Sequence, residues 1–463
     1  MRATRNRAIL LPIAACLVAV SPAARGREKP DGEAELVANP AFASSAGQPM
    51  PHAWTFQPLP VKDACCRVRA VDGGLAVDAP EHPFGVGIVC QDVHGIAGQK
   101  SYAVDVIAKA EKIPSPYRSI LVRLTWTRDG QPLHPAGLMV RGPRTSDAVL
   151  LFGDVLVAPK EANGARLSLE VKWPQGGSVL WCRAGLRAAT PLLPRKVKIG
   201  TVYLRPRNST PQRNLRLFCD RVDEAGRLKL DIVCLPEAIT LVGTTNNGPQ
   251  TAEPIPGPSS QRLAQAAREN HLWLVAGLYE RDGSTIYNSA VLLDREGRLA
   301  GKYRKIHLPR EEWQLGVTPG HCYPVFKTDF GTIALQVCYD YFFPEEAAIL
   351  GLKGAEVVFA PTWGTTFKDE EGRVEGENIF RVRARDNGIY LVPSVYDGNS
   401  MVIDPLGRVL ATSDGHEGLF WCEVDLSRRD PLAWVGDWRR LGPRDRMPPS
   451  YGSLLGDPAE PTE

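Results

Sequence analysis

Near residue 190 the chain changes texture, and that change limits its possible folds more than any other feature. Before it, from about residue 35 to 189, apolar residues alternate with the period-2 spacing of strands. Ile120, Val122, Leu124 and Trp126 fall on one face ahead of the turn Arg128-Asp129-Gly130. Leu167, Leu169, Val171 and Trp173 repeat the pattern ahead of Gln175-Gly176-Gly177. No amphipathic helix interrupts them, so residues 30–189 are expected to stack two antiparallel sheets into an all-β, jelly-roll-like sandwich. After the proline-bounded linker TPLLPR, residues 190–195, strands alternate with helices. Strands are expected at 197–204, 230–235, 273–279, 288–294, 332–337 and 356–360. Helices are expected at 214–225, from a Ser260 cap to 270, and from Pro344 onward. Such alternation describes an α/β layered domain with a largely buried sheet, here 196–430, followed by a proline-rich tail, 431–463.

A chain of 463 residues accommodates two such domains, each with a proper core. Its 55 basic and 52 acidic residues leave a formal charge of +3, which is no footprint for nucleic acid. At the N-terminus MRATRNR supplies three arginines, AILLPIAACLVAV a short apolar core and SPAARG small residues. This pattern is expected to be a signal peptide, residues 1–26, cut near residues 23–27, and the protein to be exported to a periplasm, cell surface or medium. A lipoprotein reading through Cys16 is disfavoured by the apolar LVAV that follows it. Of ten cysteines, nine remain after cleavage. Cys65, Cys66, Cys90 and Cys182 in the first half are candidates for disulfides in an oxidising compartment, with three pairings open. The second half holds five, an odd number that leaves one thiol free.

The stretch LQVCYDYFFPEE, residues 335–346, places Cys338 where a buried strand gives way to a helix opening at Pro344. A thiol at such an elbow can be exposed at the sheet edge beside backbone N–H groups, where a nucleophile is useful. VCLPEAIT places Glu237 just beyond another strand, and GKYRKIHLP places Lys305 beside a third. Loops at the C-terminal ends of strands converge in α/β sheets, so a carboxylate, an ammonium and a thiol can meet there. Each alone has a plain structural explanation: a helix-start glutamate, one cation of a basic cluster, a core cysteine.

Together, LPE, YRKIHLP, CYDYFFPE, KGAEVVFAPTW, RARDN and IDPLGRVLA resemble, in this order, the nitrilase or carbon–nitrogen hydrolase superfamily, over about residues 195 to 430. The resemblance implies an αββα layered fold, Glu237, Lys305 and Cys338 as catalytic residues, no metal or organic cofactor, and at least a homodimer. It also implies a second glutamate before Thr318-Pro319-Gly320, for which Glu312 is favoured over Glu311. Tyr339 follows the cysteine in place of tryptophan, which resembles the amidase and carbamoylase branches more than the nitrile-cleaving one. Tyr339, Thr362 and Trp363 are expected to line the substrate site, and His307 to order the loop around Lys305. Arg383 is open to two readings, a substrate-carboxylate binder or a helix pin.

The chemistry follows from the residue types. A thiol is mostly protonated near pH 7, so attack on an amide carbon needs a base, here Glu237. Lys305 and the Tyr339 N–H suit the oxyanion, and the product is a thioester that water hydrolyses. The expected substrate is a small linear amide or N-carbamoyl compound. Acyl transfer to an amine by the same site is one alternative. Another is a non-enzymatic protein whose sandwich binds a glycan or cell-surface partner, since ELVANPAFASSAGQPMPHAW resembles the opening of galactose-binding-like sandwiches, with an Asn-Pro-x-Phe turn before a buried Trp. Retention of Glu237, Lys305 and Cys338 favours the enzyme. The tail either packs across a subunit interface or is disordered.

Overall fold

The computed structural model describes residues 34–44, 48–146, 149–364 and 375–456; the expected signal peptide lies outside the described residues. In the first half, alternation produces strands with one buried face. Along Ile120–Arg128, Ile120, Val122, Leu124 and Trp126 are buried while Arg123 and Thr125 are only half-buried. Two antiparallel sheets of six strands result. One orders Thr55–Gln57, Val86–His94, Gly164–Lys172, Ile120–Arg128 and Gln131–Pro132, with Leu138–Met139 also beside Ile120–Arg128. The other orders Arg67–Val71, Gly74–Asp78, Ser178–Ala189, Ser101–Glu111, Val149–Val157 and Arg144–Ser146. Val89, Leu124 and Leu167 from the first sheet share one core with Val77, Val104 and Trp181 from the second, so the sheets stack face to face. Ahead of them Phe42 packs on buried Trp54 at 4.8 Å, and the indole N–H donates to Asn39 O at 3.1 Å.

Disulfides do not form among the four candidates: Cys65, Cys66, Cys90 and Cys182 are all free. Cys90 and Cys182 lie on strands of different sheets, Cys66 is buried, and the Cys65 sulfur accepts the Leu59 N–H at 3.2 Å.

The second half contains two further six-stranded sheets. The first orders Leu299–Arg304, Thr285–Leu293, Trp273–Asp282, Ile232–Cys234, Lys196–Tyr203 and Gly418–Asp425. The second orders Val325–Lys327, Thr332–Leu335, Val357–Pro361, Tyr390–Ser394, Met401–Ile403 and Val409–Thr412. Three central strands of each run parallel. Ile199, Ile232, Val275 and Leu292 pack against Ile333, Leu335, Phe359 and Val392 to form the inner core. Helices Pro211–Arg227 and Pro258–Glu269 cover one outer face through Phe218, Val222, Leu263 and Ala266. Pro344–Leu352 and Glu375–Asn387 cover the other through Ala347, Leu350, Phe380 and Ala384. The layering is helix, sheet, sheet, helix, a mixed α/β arrangement.

Two local expectations need correction. Ser260 does not cap its helix: Gly257 is the cap residue, and Ser260 Oγ accepts the Gly257 N–H at 2.8 Å from the third helical position. The tail, as far as residue 456, does not trail free. Its helix Trp438–Asp445 lies against both halves of its own chain, with the Trp438 indole donating to Asp386 O at 2.8 Å. Arg444 donates to the carbonyls of Tyr117 and Gly142, and Asp445 pairs with Lys172. Among the described residues, no helix is long and apolar enough to cross a membrane.

Candidate active site

Glu237 sits in a loop directly after strand Ile232–Cys234, lying against the bare backbone of Gly277, where a Cβ would come within 2.5 Å of Glu237 Cα. Lys305 follows strand Leu299–Arg304, its N–H donating to Asn288 O at 2.8 Å. Glu312 lies in the short helix Arg310–Gln314 and is buried, whereas Glu311 beside it is exposed. Cys338 opens a 3₁₀ turn, Cys338–Phe342, with φ +45°. A residue with a side chain held in this left-handed region carries roughly 1–2 kcal/mol of strain.

One buried carboxylate braces that turn. Asp340 Oδ2 accepts the Val337 N–H at 3.0 Å and the Tyr303 hydroxyl at 2.7 Å. Asp340 Oδ1 accepts the His307 backbone N–H at 2.9 Å and faces His307 Nδ1 at 2.9 Å. His307 in turn stacks on Phe343 at 3.8 Å. The cysteine turn and the loop after Lys305 are thereby fixed to each other.

These elements bring Glu237, Lys305, Glu312 and Cys338 together. Lys305 Nζ lies 3.1 Å from Glu237 Oε1 and 2.9 Å from Glu312 Oε2, with Lys305 only 2% exposed. Asn288 Nδ2 donates to Oε1 of both glutamates at 2.6 Å. The Tyr279 hydroxyl donates to Glu312 Oε1 at 3.1 Å, and the Tyr396 hydroxyl to Glu237 O at 2.7 Å. The thiol stands beside the Glu237 carboxylate, Lys305 and the Trp363 backbone N–H, all of which act on its ionisation.

Burial pushes the Cys338 thiol well above its ordinary pKa, and the Glu237 charge pushes the same way; Lys305 and the Trp363 N–H oppose them without prevailing. The resting sulfur is therefore a thiol that a base must deprotonate. Burial works against the Lys305 ammonium, but the charges of Glu237 and Glu312 and the hydrogen bond to Glu312 outweigh it and keep the lysine protonated. Burial also raises Glu312, with Lys305 opposing and Glu237 reinforcing.

Of the expected substrate-site residues, Tyr339 and Trp363 are half-buried beside the cysteine turn. Thr362 is fully buried just past the inner strand Val357–Pro361, with its hydroxyl donating to Ala360 O at 2.8 Å. Arg383 donates to Phe342 O at 3.0 Å, so it pins the helix Glu375–Asn387 to the cysteine turn. Asn288, Tyr279 and Asp340 escaped the reading of the sequence. Asn288-Ser289 interrupts an otherwise apolar buried strand, and that interruption was the available signal.

A metal has one place to be considered among the described residues. Ligating atoms of His307, Asp340 and Glu346 lie within 4.8 Å of one another. His307 and Asp340 are already hydrogen-bonded, and burial together with the Asp340 charge pushes Glu346 up to about 9, a protonated form unsuited to ligation. The cluster reads as a hydrogen-bond network.

The carbon–nitrogen hydrolase family profile matches residues 198–433. The chain is similar to mouse omega-amidase NIT2, 31% identical over 234 residues that cover 46% of this chain and 84% of the mouse protein. The human omega-amidase NIT2 is 30% identical over 234 residues, with the same shares covered. Among solved structures, a carbon–nitrogen hydrolase from Helicobacter pylori G27 superposes with a TM-score of 0.50 at 26% identity, covering 56% of this chain and 99% of that one.

Proposed function

Because the chain belongs to the carbon–nitrogen hydrolase family and is an amidohydrolase of the nitrilase superfamily, we propose that it cleaves a small linear amide or N-carbamoyl compound through a thioester on Cys338. One observation carries the reading: a protonated, half-buried thiol stands beside the Glu237 carboxylate, which is itself 3.1 Å from a buried ammonium. For an amide, Glu237 takes the thiol proton as sulfur attacks the carbonyl carbon. Lys305 Nζ and the Tyr339 N–H, in a turn whose first N–H groups have no intrahelical acceptor, stabilise the oxyanion. Collapse breaks the C–N bond, and Glu237 returns its proton to the departing ammonia or amine. A water deprotonated by Glu237 then attacks the thioester; the C–S bond breaks, the acid leaves, and the proton restores the thiol. Glu312 holds Lys305, and Asn288 holds both glutamates.

The omega-amidase relatives support an amide in preference to a nitrile. Intact-mass measurement of the protein with short amides, N-carbamoyl amino acids and nitriles, with ammonia read in parallel, tests the reading. An acyl adduct on Cys338 that appears with amide and decays with ammonia release is expected; turnover retained in Cys338→Ala would falsify it. Export is part of the same proposal, and a chain retained in the cytoplasm with residues 1–26 still attached would remove it.

A further inference from the structure

A cavity of about 690 Å³ opens where the sandwich meets the second domain, and it shares no lining residue with the active site. Its volume falls among those of small-molecule sites, roughly 300–1,000 Å³. The walls include Leu124, Leu138 and Val157 from sandwich strands and Leu192 from the linker. Leu133, Val157 and Leu192, which also line it, are 37%, 59% and 54% exposed, so this apolar surface faces water unless a ligand covers it.

The cation of the lining that reaches solvent is Arg141, whose side chain is 38% exposed. The His134 Nε2 and the Trp126 indole N–H are closed off from solvent and do not open into the cavity. Arg141 Nε stands 3.4 Å from Asp154 Oδ1 without making a hydrogen bond. Arg141 shares that carboxylate with Arg429 and Arg440, which both also face Asp437. Three guanidiniums thus stand over two carboxylates, and Arg141 is the most exposed and least committed of the three. Glu161, the carboxylate of the lining, is solvent-exposed.

We propose that this cavity binds an amphiphilic monocarboxylate, its alkyl or aryl body against the leucine and valine walls and its carboxylate on the Arg141 guanidinium. An apolar body covers the exposed walls, and an anionic acceptor answers the guanidinium in excess over the two carboxylates. Amide hydrolysis itself yields carboxylates, so acids of the product class make apt probes.

Calorimetric titration of the mature protein with dodecanoate below its micellar concentration tests this, with dodecanol and dodecyltrimethylammonium as controls. Saturable binding of dodecanoate alone is expected, and it persists in Cys338→Ala, which separates it from acylation of the active site. Arg141→Ala should weaken binding about tenfold, the loss expected for a charge-assisted hydrogen bond. Val157→Trp, which fills the cavity from an exposed position, should abolish binding and leave amide turnover unchanged. Absence of saturable binding, equal binding of the ammonium amphiphile, or dodecanoate binding unchanged in both variants would overturn the proposal. So would a dimer that Val157→Arg converts to monomer in sedimentation while no acid binds, since the apolar walls would then be a contact between two copies.

Discussion

At the scale of the residue, Cys338 combines a nucleophile with a backbone conformation that glycine adopts far more readily, φ +45°. Cys338→Ala and Cys338→Gly should both lose turnover, but the glycine variant should be the more stable of the two by about 1 kcal/mol, because only alanine keeps a Cβ in the left-handed region. Denaturant unfolding checks this; equal stabilities would mean that the turn is relaxed. Asn288 joins two buried carboxylates at 2.6 Å each and takes the Lys305 N–H on its own carbonyl. Asn288→Ala should lower kcat about 100-fold with KM little changed, as expected when a catalytic base loses its orientation, and steady-state kinetics separate the two constants. Glu237, Lys305 and Cys338 could be found in the sequence because each breaks an apolar run with a reactive group. Asn288 could not be assigned a role, because an amide inside a strand announces a buried hydrogen bond but not its partners. The hydrogen bond of Thr362 was not legible for a related reason: adjacency to Trp363 says nothing about which way a strand-end hydroxyl turns.

At the scale of the element, the helix Pro344–Leu352 shows what local rules deliver and omit. Proline at its first position marked its start, and Glu345 and Glu346 looked like ordinary first-turn acids. In the fold Glu346 is buried, accepts the Tyr303 hydroxyl at 3.0 Å, and is pushed up to about 9 by burial and by Asp340. A carboxyl raised in the folded state binds its proton more tightly there than in the unfolded chain. Its stabilising contribution is therefore complete below the unfolded pKa of about 4.3 and is lost as pH rises through about 9. Glu346→Gln, which mimics the protonated acid, should remove this component and flatten the fall in melting temperature between pH 5 and pH 9. A slope identical to that of the parent would show that Glu346 is ionised in the fold. Strand existence was legible from periodicity, whereas the end of Thr332–Leu335 was not, because Val337 gives its N–H to Asp340 instead of to a neighbouring strand.

At the scale of the whole molecule, the division near residue 190 was legible because two kinds of periodicity meet there. The path of the tail was not, since its arginines and prolines carry no period. Arg429 donates to Met139 O at 3.0 Å and pairs with Asp154, whose side chain is 1% exposed. Arg429→Met should destabilise the protein by about 1.5–3 kcal/mol, the loss of a charge-assisted hydrogen bond from a carboxylate that keeps Arg141 and Arg440. Asp154→Asn in the same background should add to the loss, because those two arginines then lose their shared carboxylate, as denaturant melts would report. The pairing also has a consequence in time. Asp154 and Arg141 belong to the half that leaves the ribosome first, and Arg429 follows Asp154 by 275 residues. The early half therefore spends most of synthesis with that carboxylate facing one cation of three, and it reaches its final state only when the segment carrying Arg429 and Arg440 has arrived.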